Sequence, residues 1–232
     1  MIKVKMGAAM EDFDLLDFFE MPEESVRASW AGKSATISTD EENYMELAGK
    51  FVGEGDDKAL KKLLAATSEI NGMTTTVDGE LYMEVKGLKI GARELASVEA
   101  LQKYLSKSSY DITGNKDGNI LNGAGGDDII DGGRGKDSII GNGGDDELTG
   151  GIGADHFIYH KGDGSDVITD FTARGGDADT IDLSEYGEKI RFRDLHISRV
   201  DKTDVLIEIG RHEDILLHDV KLRHISVDDF DF

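Results

Sequence analysis

The 232-residue sequence has no cysteine, a single proline and only 7% aromatic residues. Without thiols no disulfide can staple the fold, and no cysteine nucleophile or thiolate metal site is possible. That absence fits a reducing compartment, or an export route that avoids disulfide chemistry. No hydrophobic run is long enough to span a bilayer. The opening residues MIKVKMGAAM carry two lysines but no apolar stretch of useful length before Glu11 and Asp12, so a cleaved signal peptide is not expected. Positive charge is scarce as well: 26 Lys and Arg face 48 Asp and Glu, a net charge of −22. This balance argues against nucleic acid as a partner and against insertion into, or adhesion to, an anionic membrane.

The deficit of positive charge is uneven. Residues 1–113 hold 13 basic and 21 acidic side chains, residues 114–182 hold 5 and 15, and residues 183–232 hold 8 and 12. Self-repulsion in the middle segment makes divalent cations the expected counter-ions. That segment also holds 18 glycines.

What is present there is a repeat. From Gly114 to Ile158 five nine-residue units follow without a gap: GNKDGNILN, GAGGDDIID, GGRGKDSII, GNGGDDELT and GGIGADHFI. Glycine opens each unit. A second glycine lies three residues later at Gly126, Gly135, Gly144 and Gly153. Two residues on come Asn119, Asp128, Asp137, Asp146 and Asp155, and two further on Leu121, Ile130, Ile139, Leu148 and Phe157. The glycines permit tight loops with positive φ. The carboxylates, with loop carbonyls, supply hard oxygen ligands of the kind calcium takes. The last three residues suit a short strand with one inward apolar side chain. A flexible linker has no reason to keep a hydrophobe in strict nine-residue phase.

The pattern GGxGxDxUx resembles the nonapeptide repeat of the RTX (repeats-in-toxin, hemolysin-type) calcium-binding proteins. The resemblance implies a parallel β-roll in which two repeats complete one turn. Calcium would bridge a loop and the next but one on the same edge. Two such pairings are expected from Asp128 with Asp146 and Asp137 with Asp155. Further ones would join Asn119 with Asp137, Asp146 with Asp166, and Asp155 with Asp179. Candidate ligands are therefore Asp117, Asn119, Gly126, Asp128, Gly135, Asp137, Gly144, Asp146, Gly153, Asp155, Gly164, Asp166, Asp177 and Asp179, for about three to five Ca2+ ions.

Beyond Ile158 the repeat decays. Tyr159 and His160 are inserted, KGDGSDVIT follows, and DADTIDL is a last remnant. The run FIYHKGDGSDVITDFTARGGDADTIDLSEYG resembles the end of the β-roll in serralysin-type proteases and alginate epimerase R-modules, where it closes one end of the roll. After it, VLIEIG, a turn at Arg211–Asp214, and ILLHDV predict an antiparallel capping hairpin. The terminal ISVDDFDF resembles the acidic-aromatic ends of type I secretion substrates, with Phe230 and Phe232 as apolar anchors. That resemblance implies a bacterial extracellular or cell-surface protein and the type I secretion machinery as a partner.

Upstream, DFDLLDFFE before Pro22 suggests a docked strand or short helix. Val26 to Ile37 alternates like a hairpin, and Tyr44 to Val52 reads as a strand. Asp56 or Asp57 can cap a helix KALKKLLAA. Thr74 to Val85 is a hairpin about Asp78-Gly79, and a helix is predicted over Ser97 to Lys107. The expected fold is thus mainly β: an N-terminal β-rich α+β module (1–110), the parallel β-roll (111–182), and a C-terminal cap with its secretion signal (183–232). The N-terminal part is similar to a β-rich module found before RTX repeats, a resemblance that implies no activity.

Catalytic motifs are lacking. His212-Glu213-Asp214-Ile215-Leu216 has only one of the two histidines of HExxH, and no GxSxG elbow occurs. His156 and His160 flank a predicted strand end, as a surface pair would. The expected function is non-catalytic calcium binding with adhesion to a glycan or cell-surface protein. Two alternatives stand beside it: a small carbohydrate-active enzyme with its site in residues 1–110, and a pure export and folding module.

Overall fold

The computed structural model describes residues 2–6, 27–31, 34–38, 44–51, 54–57, 67–77, 80–91, 103–187 and 190–232. They fall into two compact units, one holding the described residues up to Lys107 and the other Ser108–Phe232.

The first unit contains β1 (Ile2–Met6), β2 (Arg27–Ala31), β3 (Ser34–Ser38), β4 (Tyr44–Phe51), β5 (Glu54–Asp57), β6 (Thr67–Val77) and β7 (Glu80–Gly91). Their order is β1-β7-β6-β4-β3-β2-β5, and every neighbouring pair is antiparallel. Both hairpins expected from sequence are present. Val26–Ile37 gives β2 paired with β3, and the run about Asp78-Gly79 gives β6 paired with β7. β6 and β7 exceed the predicted lengths because irregularities in register, between Ile70 and Gly72 and between Thr75 and Thr76, let long strands stay paired. Asp56 and Asp57 belong to β5, which pairs with β2. The predicted helix over 58–66, the 7–26 segment and most of the 97–107 helix lie outside the described residues, which include a helical turn at 103–105.

The second unit is the roll. Its strands are β8 (Tyr110–Thr113), β9 (Ile120–Asn122), β10 (Ile129–Asp131), β11 (Ser138–Ile140), β12 (Glu147–Thr149), β13 (His156–Ile158), β14 (Ser165–Ile168) and β15 (Thr180–Asp182). Consecutive strands alternate between two sheets, so one sheet runs β8-β10-β12-β14 and the other β9-β11-β13-β15, all parallel. Partners one full turn apart are Leu121 with Ile139, Ile139 with Phe157, and Ile130 with Leu148. A three-residue strand can turn only its middle side chain inward, because successive Cβ atoms point to opposite faces. Leu121, Ile130, Ile139 and Phe157 are accordingly 0% exposed and belong to the core of the roll.

The C-terminal residues extend these sheets. β16 (His196–Arg199) and β17 (Val205–Gly210) are antiparallel, as are β17 and β18 (Glu213–Leu217). β18 then pairs in parallel with β14, setting Ile168 opposite Leu217. The hairpin turn is shorter than the expected Arg211–Asp214. His212 takes φ 64, which closes the chain in two residues and leaves Glu213 and Asp214 in the strand. β19 (Phe230–Asp231) ends the second sheet alongside β15. Phe230 is buried and lies 5.5 Å from the Phe192 ring and 5.8 Å from that of Phe232. Ser226 holds this last segment by a reciprocal cap with Asp229.

Candidate metal centre

The loops between strands carry the acidic residues, and the alternation of sheets sorts them into two columns. Asn119, Asp137, Asp155 and Asp179 stack on one edge, and Asp128, Asp146 and Asp166 on the other. Within each column one contact recurs: a carboxylate Oδ1 accepts the backbone N–H of the equivalent residue one turn earlier. Asp137 takes the amide of Asn119 at 2.7 Å, Asp155 that of Asp137 at 2.9 Å, and Asp179 that of Asp155 at 2.9 Å. On the other edge Asp128 takes the amide of Tyr110 at 2.6 Å, Asp146 that of Asp128 at 2.7 Å, and Asp166 that of Asp146 at 2.9 Å. The spacing is 18 residues in the intact repeats, 20 across the Tyr159-His160 insertion and 24 into the last remnant. The contact thus survives where the sequence pattern fades.

These carboxylates are buried. The second oxygens of Asp137, Asp146, Asp155 and Asp166 have no hydrogen-bond partner among the described residues. The end members are satisfied: Asp128 Oδ2 accepts from Ala124 and Asp179 Oδ2 from Thr172. Burial raises the pKa of Asp128, Asp137 and Asp179 to about 6, Asp146 to about 7 and Asp166 to about 8, and neighbouring carboxylates push the same way. Asp155 is raised for the same reasons. A buried, unpaired carboxylate oxygen is costly, and four in register call for a cation.

Glycine at the first repeat position keeps room for that oxygen. A Cβ placed on Gly132 would lie 2.6 Å from Asp137 Oδ2 and 2.6 Å from the carbonyl oxygen of Gly150, one turn on. Carboxylate and carbonyl oxygens therefore face one small space. The requirement at this position is for space, since Gly132 is not among the glycines with positive φ. Positive φ is needed at the fourth position, where Gly135 has φ 119 and Gly144 φ 130. The donor set is oxygen only, which suits a hard divalent ion. No three Asp, Glu or His side chains converge among the described residues, so backbone carbonyls must complete any shell.

Of the candidates from sequence, Gly126, Gly144 and Gly164 stack in the Asp146 column, and Gly135 and Gly153 in the Asp155 column. Asp117 and Asp177 are exposed and make no hydrogen bond into either column. Four acidic residues were missed. Asp127 and Asp145 form an outer exposed ladder, accepting from the amides of Asp145 and Ser165. Asp170 accepts from the amides of Gly150 and Gly151, and buried Asp163 from that of His160. The GGDD phrases could have flagged the first two; nothing regular marks the others.

The family-model comparison agrees with this geometry. The family described as RTX calcium-binding nonapeptide repeat (4 copies) matches residues 111–139, 122–157 and 131–168. No curated protein matches the chain. Among solved structures, the AlgE6R3 subunit of the Azotobacter vinelandii mannuronan C5-epimerase is 25% identical with a TM-score of 0.45, over 55% of this chain and 80% of that one. The extracellular lipase LipA from Serratia marcescens is 16% identical with a TM-score of 0.33, over 99% of this chain and 34% of that one. The stacked loops of residues 111–168 are RTX nonapeptide repeats, and the chain is a calcium-binding protein.

Proposed function

We propose that the chain is a secreted, non-catalytic adhesion protein whose roll folds on calcium outside the cell. The observation behind this reading is the register of four buried carboxylate oxygens without partners. The Mechanism is one of neutralisation. Asp137 and Asp155 on one edge, and Asp146 and Asp166 on the other, would hold the ions together with loop carbonyls. Asn119, Asp128 and Asp179 close the ends of the columns. A bound calcium supplies the positive charge that these oxygens lack. Residues 1–110 are then the specific module, gripping a glycan or a cell-surface protein. Residues 111–182 form the calcium roll, and 183–232 combine cap and export signal.

Intracellular calcium is too low to fold such a roll, since extracellular calcium modules bind at roughly 10⁻⁴ to 10⁻³ M. The chain would stay unfolded until exported and fold where the ligand is, which gives export a direction by mass action. The absence of cysteine is consistent, because no disulfide must form on the way. Among the described residues no helix is long and apolar enough to cross a membrane.

Two measurements test the reading. Calorimetry on the full chain should give about three to five calcium ions, and Asp137→Asn with Asp155→Asn should remove at least one. Deleting the C-terminal segment from Ser226 should trap the chain inside a host carrying a type I exporter. Export in normal yield after this deletion would remove the type I assignment, and an isotherm without calcium uptake would remove the whole reading.

A further inference from the structure

Among the described residues, five buried side-chain oxygens lack a hydrogen-bond partner, and three belong to one junction: Asp146 Oδ2, Asp166 Oδ2 and the Tyr159 hydroxyl. The junction is where the nonapeptide phase breaks. In unbroken phase residue 159 would be the glycine that opens a unit; here it is a tyrosine, 4% exposed. Its backbone N–H is bonded to the Asp182 carbonyl, which fixes the residue at the end of β13. The inserted loop also supplies its own acid. Asp163 Oδ2 accepts the His160 amide at 2.6 Å, a task that Asp128 Oδ2 performs for Ala124 in the second repeat. Asp166 Oδ2, like that of Asp137, Asp146 and Asp155, is left without a partner among the described residues.

The phenol lies within the field of these groups. Burial holds its pKa well above the usual range, and the charges of Asp166, Asp146 and Asp163 push it further in that order. A phenol hydroxyl can donate one hydrogen bond and accept others. Carboxylates that ligate a metal are themselves held by such donors.

We propose that the cation site between the Asp146 and Asp166 loops is of a different kind from the repeat sites, with the Tyr159 hydroxyl as its positioning group. The ligand is a hard divalent cation, calcium in this protein. With the cation bound, the hydroxyl donates to the Asp166 carboxylate and turns its partner oxygen to the ion. The role rests on the calcium reading given above. It makes this junction the site at which a side chain outside the repeat consensus sets affinity.

The test is Tyr159→Phe in the full chain, which removes one oxygen and keeps the ring. Calcium calorimetry should show one step weakened about 10-fold, the equivalent of about 1.4 kcal/mol, with the remaining steps unchanged. In an Asp166→Asn background the same change should have no further effect on that step. Calcium uptake by the Phe variant equal to that of the parent would overturn the proposal. So would a higher melting temperature in saturating calcium, because deleting a hydroxyl that has no partner relieves a burial cost. If the Phe variant is unfolded at moderate calcium, raising calcium must restore it, since the hydroxyl acts through the ion; failure of that rescue overturns the proposal as well. A parent chain that takes up no calcium overturns it together with the reading on which it rests.

Discussion

Chelation is expected to abolish the ordered signal of residues 108–232 at neutral pH, while the antiparallel unit keeps part of its own. Each repeat orders nine residues and buries one apolar side chain, a gain of about 1.5–3 kcal/mol that falls short of the backbone entropy lost. The unpartnered carboxylates add a further penalty. Their folded pKa values of about 6 to about 8 lie above that of an exposed aspartate. Their contribution to stability is therefore fully present below the ordinary carboxylate range and lost as pH rises through those folded values. Metal-free roll should be weakest at pH 7 and above, and acidifying the chelated chain to about pH 5.5 should recover part of its β signal. Circular dichroism across both titrations checks this. A spectrum unchanged by chelator at neutral pH would refute calcium-dependent folding.

Gly135→Ala should be strongly damaging to the roll. Gly135 has φ 119, and its added Cβ would lie 2.6 Å from the Asp117 carbonyl carbon and 2.6 Å from the Gly118 amide nitrogen. The obstacles are backbone atoms of the stacked loop, so no side chain can step aside. Strain and overlap together should cost about 3 kcal/mol or more and force the Asp137 column apart. Thermal denaturation in saturating calcium should show the loss. Gly176→Ala, with open space around it, is the control.

Much of this was legible in the sequence because the repeat encodes spacing directly. The phase of Leu121, Ile130, Ile139, Leu148 and Phe157 gave the inward side chains, and the asparagine and aspartates two residues before gave the columns. Asp166 and Asp179 were found although their spacings stretch to 20 and 24 residues. What the pattern could not give were contacts created by irregularity. Asp163 serves the amide of the inserted His160, and Asp170, from the irregular stretch after the decayed unit, reaches the amides of Gly150 and Gly151 in the fifth repeat. The glycine argument was also incomplete. Positive φ explains Gly135, but at Gly132 the constraint is the nearby carboxylate. Asp56 and Asp57, expected from sequence to cap a helix that lies outside the described residues, pair with β2 as strand residues.

The columns of amide-to-carboxylate bonds have a polarity. Each loop donates its N–H to the next loop of its own column, so Asn119 depends on Asp137, Asp137 on Asp155, and Asp155 on Asp179. The series ends at Asp179, whose own amide is satisfied by the carbonyl of Thr172 seven residues earlier. Shortening the chain from the N-terminal side leaves the last side-chain acceptor in place, although it takes from the strand amides of Ser138, His156 and Thr180 the carbonyls of Asn119, Asp137 and Asp155 to which they donate. Cutting from the C-terminal side instead strips the acceptor from the loop that remains. The side-chain ladder is thus a zipper whose stop lies at its C-terminal end.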